Sequence, residues 1–220
     1  MIWSLDFGNW VQEMRIISGT SKGRRLATRK SQALRPTSDR VKESMFDILG
    51  AEVQGKVVLD LYAGTGNLGI EALSRGATRA FFVEKGRQAL RVIQKNLSEC
   101  GMQERAELLP KDVLRAIGIL KEREACFDLM FMDPPYAKGL IQRTLMKLRA
   151  NPIYHEDSIL VVEHDRREPI PEQSGGWELI RQRRIGDTVL SFLTPASRRE
   201  GGNRGNPGEP SSPEGEGAET

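Results

Sequence analysis

The chain has 220 residues, 29% of them charged, with a formal net charge of +3. That length supports a sizeable core in one main domain, and so mild a net charge does not by itself announce nucleic-acid binding. No apolar stretch approaches the roughly 20 residues of a membrane-spanning helix, and the opening MIWSLDFGNW lacks the basic start of a signal peptide. Cys100 and Cys126 share no metal-ligand spacing and are too few for a disulfide framework. They read as reduced filler thiols of a cytosolic protein.

Residues 1–13, with Trp3, Phe7 and Trp10, sit awkwardly before Met14 and read as an extension or as a misassigned start. From Arg15 to Lys42 the charge is lopsided. Arg15, Lys22, Arg24, Arg25, Arg29, Lys30, Arg35, Arg40 and Lys42 face the single acid Asp39, a local balance of +8. A solvated surface is the plain reading; an arm that binds a polyanion is the functional one. Short apolar pieces between Arg15 and Arg29, broken by Gly19 and Gly23, predict a small hairpin carrying basic side chains. Arg35-Pro36 holds the chain extended, so that Thr37 or Ser38 can cap a helix running to about Leu49. Val41, Met45, Ile48 and Leu49 fall on one face of it, and Gly50 is its stop. Residues 14–50 thus form a basic arm and helix, with Arg15, Lys22, Arg24, Arg25 and Arg40 as candidate phosphate contacts.

Residues 51–196 alternate regularly. Strands are predicted at 56–61, 79–84, 106–109, 127–133 and 158–163, with helices between them at 69–75, 86–100, 112–121 and 138–148. Such alternation implies right-handed crossovers and a parallel sheet covered on both faces. After Gly175-Gly176, residues 177–185 and 188–193, split by Gly186-Asp187, read as a closing antiparallel hairpin. The fold class is α/β with a Rossmann-like, mainly parallel sheet, a C-terminal antiparallel hairpin and the small basic N-terminal hairpin and helix. That combination leans toward methyltransferases rather than dehydrogenases. From Ser197 to Thr220 glycine, proline, serine and glutamate dominate, which reads as a disordered tail.

The first strand leads into Gly64-Thr65-Gly66-Asn67-Leu68-Gly69, a G-x-G-x-x-G turn at the carboxyl edge of the sheet. These glycines fit dinucleotides and S-adenosylmethionine alike. Asp133-Pro134-Pro135-Tyr136, at the end of the fourth strand, decides between them. The exocyclic amine of a purine is a poor nucleophile, because its lone pair is delocalised into the ring. The Asp133 carboxylate and the Pro134 carbonyl can hold both N–H groups and turn that lone pair toward a methyl donor. The prolines stiffen the loop, and Tyr136 offers a face on which an extruded base can stack. The bland alternative is a Pro-Pro turn after a buried strand.

With those residues in hand, the chain from Met14 to Leu193 resembles the bacterial family that methylates N2 of guanine 966 in 16S ribosomal RNA. DLYAGTGNLGIEALSRGA and FMDPPY carry the resemblance, with RIISGTSKGRRL and LRPTSDRVKESMFDIL in front of them. Asp-Pro-Pro-Tyr is shared with adenine-N6 DNA methyltransferases and so marks the reaction type; the N-terminal segments point to the ribosomal RNA family. The resemblance implies S-adenosylmethionine as cofactor, with Asp60, Tyr62, Gly64, Thr65 and Gly66 lining it and Arg35, Pro36 and Thr37 closing over it. Glu84 is expected to accept from the ribose hydroxyls, as an acid about 20 residues after the glycines does in dinucleotide sites. Asp112 either contacts the adenine amine or caps the following helix. Asn67 is expected to orient Asp60 or the loop. His164 reads as a polar strand-end residue and His155 as a loop surface residue, and two isolated histidines offer no metal site. Glu163 is not singled out.

The expected reaction is direct, in-line methyl transfer without a metal, with Asp133 as an orienting acceptor and the arm on RNA phosphates. The expected partner is 16S ribosomal RNA, within a partly assembled small subunit, met by a cytoplasmic monomer with no membrane association. Three rival readings remain. A DNA adenine-N6 methyltransferase normally needs an added target-recognition region, an NAD-linked dehydrogenase leaves Asp-Pro-Pro-Tyr unexplained, and a non-catalytic RNA-binding assembly factor needs no intact Asp133.

Overall fold

The apolar run Val57–Asp60 forms strand β3, and Phe127–Met132 forms β6 beside it in parallel, with Asp60 level with Phe131. A computed structural model describes residues 14–28, 39–135, 139–171 and 173–196. The expectations for residues 1–13, Arg35, Pro36, Thr37, the helix cap at Thr37 or Ser38, Tyr136, and the tail from Ser197 to Thr220 lie outside those residues.

A two-stranded hairpin comes first: β1 (Met14–Arg15) pairs antiparallel with β2 (Arg25–Leu26). Helix α1 (Asp39–Leu49) follows, and a short 3-10 turn from Gly50 to Val53 leads into β3. The alternating part comprises α2 (Asn67–Ser74), β4 (Arg79–Val83), α3 (Arg87–Cys100), β5 (Ala106–Leu109), α4 (Val113–Glu122), β6 and α5 (Leu140–Ala150). It closes with β7 (Tyr154–Asp165), the short β8 (Gln173–Ser174), β9 (Trp177–Ile185) and β10 (Thr188–Pro195). The main sheet runs β5-β4-β3-β6-β7-β10-β9-β8. β10 inserts antiparallel between β7 and β9.

Strand alternation sorts the core into two layers. Val58, Leu129, Phe131, Val161, Leu190 and Phe192 face the N-terminal hairpin, α1, α2 and α3. Leu59, Met130, Met132, Leu160, Val162 and Leu193 face α4 and α5. Phe46 of α1 packs its ring on Phe131 at 5.6 Å, and each such buried side chain is worth roughly 1.5–3 kcal/mol. Gly69 allows α2 to lie close on the sheet, since a Cβ there would sit 2.3 Å from the Phe82 ring.

β7 is longer than predicted, and its start corrects the reading of His155. That residue is a strand member: its Nε2 lies 3.0 Å from Asp128 Oδ1. The polar stretch His155-Glu156-Asp157 falls in the register irregularity between the Tyr154–Phe127 and Ile159–Leu129 pairs, so no regular alternation marks it as strand.

Candidate active site

β3 has β4 on one side and β6 on the other, so the chain order reverses between β3 and β6. Ligands of open α/β sheets bind in the crevice that such a reversal opens at the strands' carboxyl ends. Asp60 ends β3 there. Its side chain is only 3% exposed, and Oδ2 accepts from the Gly69 N–H at 3.1 Å. Burial pushes its carboxyl up to about 7, against the Gly69 hydrogen bond, and the carboxylates of Asp133 and Glu84 add to the rise. Asp60 thus lies within electrostatic reach of two further carboxylates, Asp133 and Glu84. Such a site favours a cation.

Gly66 caps α2 with φ +80, a conformation that side chains rarely adopt, and a Cβ there would crowd Ile70 and Ile93. The loop is held from β4. Glu84 accepts from Gly64 N–H through Oε2 at 3.1 Å and from Gly86 N–H through Oε1 at 2.6 Å. Its carboxylate oxygens keep further lone pairs for a hydroxyl. Asp133 follows β6, half-buried, with Pro134 buried behind it and Pro135 exposed.

Two other predicted residues have fold partners. The Tyr62 hydroxyl lies 2.8 Å from Thr144 Oγ1 of α5, so it is turned toward the helix; burial pushes its pKa up. Asp112 caps α4 by accepting from Leu114 N–H at 3.1 Å.

Sequence reasoning missed a buried polar cluster beneath the loop. Lys42, counted above with the basic arm, is fully buried rather than available to a polyanion. Its Nζ donates to the Arg15 carbonyl at 2.5 Å and to Asn67 Oδ1 at 2.6 Å, and lies 3.4 Å from Glu71 Oε2. Burial lowers its pKa, with Glu71 and Asp39 opposing. Asn67, expected to orient Asp60 or the loop, thus accepts from Lys42 through Oδ1. Glu71 also accepts from Ile17 N–H at 2.8 Å, Ser18 N–H at 3.0 Å and Arg75 Nε at 2.8 Å. Asn96 of α3, equally buried, bridges Ala27 of the arm and Thr65 of the loop. The arm is thus tied to α2 through Glu71 and to α3 through Asn96.

The signal for Lys42 was present. Lys42, Met45, Phe46 and Leu49 follow i, i+3, i+4, i+7 spacing, which places the lysine on the apolar stripe of α1. The remaining arm cations point outward: Arg15, Lys22, Arg24, Arg25 and Arg40 are all exposed, and Arg15 pairs with Asp39 at 3.2 Å. His164 is a buried strand-end residue hydrogen-bonded to Ser191 Oγ at 2.8 Å, and burial lowers its pKa. Glu163 beside it is also buried.

The pattern of the family described as "Conserved hypothetical protein 95" (Cons_hypoth95) matches residues 14–194. The chain belongs to the Cons_hypoth95 family. It is 38% identical over 179 residues to the Bacillus subtilis (strain 168) protein named "Putative rRNA methyltransferase YlbH", covering 81% of this chain and 97% of that protein. It is 32% identical over 188 residues to "Ribosomal RNA small subunit methyltransferase D" of Escherichia coli (strain K12), covering 86% and 93%. A solved structure, "Putative methyltransferase yhhF from Escherichia coli", superimposes with a TM-score of 0.74 at 29% identity, over 83% of this chain and 98% of that one. In this Cons_hypoth95 chain the match begins with β1 and reaches into β10, so arm, loop and Asp133 all fall within it.

Proposed function

We propose that the protein is an S-adenosylmethionine-dependent ribosomal RNA methyltransferase acting on the exocyclic N2 of one guanine of 16S ribosomal RNA, guanine 966 by resemblance. Family membership and the relatives named as ribosomal RNA methyltransferases support the cofactor and substrate class. The observation that carries the reading is the register that sets Asp60 and Asp133 at the carboxyl ends of the adjacent parallel strands β3 and β6, on the two sides of the reversal, with Asp60 level with Phe131. One belongs with the glycine loop and the other with the amine-holding loop.

The residues present fit the cofactor. Gly64 to Gly66 give backbone close approach, Glu84 has acceptor capacity at the end of β4, and the crevice's carboxylates suit a positive charge. When bound, S-adenosylmethionine supplies a methyl group on a sulfonium, already a good leaving group. Asp60 and Glu84 hold the cofactor side of the crevice. By resemblance, Arg35, Pro36 and Thr37 are assigned to closing over it, and Asp112, whose Oδ1 caps α4, keeps Oδ2 for the adenine end.

Asp133 and the Pro134 carbonyl hold the two N–H groups of the guanine amine and aim its lone pair. As nitrogen gains positive charge, the Asp133 carboxylate stabilises it; a full proton abstraction beforehand is not required. Tyr136 stacks on the extruded base. Arg15, Lys22, Arg24, Arg25 and Arg40 take phosphates, which positions the RNA without reading its sequence. The protein acts in the cytoplasm as a monomer, on a partly assembled small subunit.

The test is methyl transfer from labelled S-adenosylmethionine into small subunits lacking the modification, with naked 16S RNA and DNA in parallel. Label at one guanine N2 is expected. Label in DNA adenine would overturn the substrate, and tight cofactor binding with no transfer to any substrate would favour a binding factor.

A further inference from the structure

β9 carries Arg181-Gln182-Arg183-Arg184, all exposed, toward the opposite end of the strand order from β3 and β4. The short β8 pairs only with Trp177 and Glu178, so beyond them the outer edge of β9 meets no strand among the described residues. Guarding an open edge with charge is a sufficient reason for one or two cations. It does not explain their register.

Arg183 pairs with Leu190, Leu190 with Glu163, and Glu163 is the next position after Val162, which pairs with Met132. Arg183 is therefore level with Asp133, three strand spacings away, or roughly 14 Å at ~4.8 Å each. Arg181 pairs with Phe192. Leu190 and Phe192 point into the core layer shared with α1 and the N-terminal hairpin, so Arg181 and Arg183 lie on that same face.

The hairpin arm docks on α2 and α3, with α2 packed over β3 and β4. The crevice at Asp133 thus lies between two basic surfaces on one face of the sheet. Their neighbours differ in a telling way. Arg184 Nε donates to the Gly186 carbonyl at 2.9 Å, and Arg166 pairs with Asp187 at 3.0 Å. Neither Arg181 nor Arg183 enters an ion pair among the described residues, and the only acid of β9, Glu178, sits at its opposite end.

We propose that Arg181 and Arg183 form a second phosphate-binding surface, gripping the RNA on the side of the target base away from the hairpin arm. The inference rests on the RNA substrate proposed above. Two-sided grip holds an extruded base in place where one arm alone would leave the RNA free to pivot. Guanidinium groups suit the task, since they bind phosphate bidentately and stay charged.

The experiment measures binding of the full chain to a 16S ribosomal RNA transcript across a salt series, for wild type and for Arg181→Ala/Arg183→Ala. The slope of log affinity against log salt is expected to shrink by about 1.4–1.8, from two lost phosphate contacts. Binding of S-adenosylmethionine should not move. Arg181→Lys/Arg183→Lys should keep most of the slope, which separates charge from folding should the alanine pair fail to fold. Arg115→Ala/Lys121→Ala, on α4 of the opposite face, should leave it unchanged. An unchanged slope in the Arg181/Arg183 alanine variant, an equal loss in the α4 variant, or loss of slope with both lysines in place overturns the second surface. Retained RNA affinity with lost binding to a ribosomal protein would overturn it too, in favour of a protein-docking edge. Wild-type protein that methylates no RNA would instead overturn the proposed function.

Discussion

Asn96 donates from Nδ2 to the Thr65 carbonyl of the glycine loop at 3.0 Å and to the Ala27 carbonyl at 3.2 Å, while Oδ1 accepts from the Ala27 N–H at 2.7 Å. One fully buried amide thereby joins the basic arm to the glycine loop. Whatever orders the arm also steadies the loop.

Asn96→Ala leaves those backbone groups unpaired in the interior, at a cost of about 1–3 kcal/mol. Chemical denaturation should show that loss. Cofactor titration of the still-folded variant should show weaker binding as well, because Thr65 loses its tether. A stability loss with unchanged cofactor affinity would mean that Asn96 serves the fold alone.

Lys42→Met strands Glu71 as a buried carboxylate that keeps its Ile17, Ser18 and Arg75 donors but loses its buried cation. Breaking one side of a buried pair typically costs 3–5 kcal/mol. Denaturant midpoints should fall accordingly. Exchange of the Ile17 and Ser18 amides should also quicken, since both depend on Glu71.

Asp60 sets a pH dependence with a defined sign. Its folded-state carboxyl lies at about 7, against 3.8 for the free side chain. The folded protein therefore binds this proton more tightly than the unfolded chain does. The group's contribution to stability is greatest below about pH 4 and is lost as pH rises toward 7. Above pH 7 the buried charge is a standing cost, which Asp60→Asn removes, so the variant without cofactor should melt higher than wild type at pH 8. Cofactor affinity runs the other way. A sulfonium favours ionised Asp60, so affinity should rise by up to roughly tenfold between pH 6 and 8. In Asp60→Asn that rise should vanish.

The sheet and the crevice were legible because their signals are local. The apolar run of β3, the glycine turn and the switch to helical period lie within about fifteen residues, and Asp133 ends an equally plain strand. The cluster under the loop was not legible in the same way. Lys42 looked like one more arm cation, and only its place on the stripe of α1 marks it as buried. Glu71 is the one charged residue in the α2 sequence NLGIEALS, which is its hint. Asn96 falls on the stripe of α3 with Ala89, Ile93 and Leu97, but nothing local names its partners, which lie 69 and 31 residues away. His155 was misread because β7 begins in a polar stretch that no period reveals.

The central claim is that Asp133 orients the acceptor amine. Single-turnover methyl transfer into unmodified small subunits should compare wild type with Asp133→Ala, with cofactor binding measured in parallel. The expected result is labelled guanine N2 in wild type and a loss of roughly a hundredfold or more in the variant, the scale of removing one preorganised charge-stabilising group. Cofactor affinity should be retained within a few-fold. Transfer at wild-type rate without the Asp133 carboxylate would contradict the account.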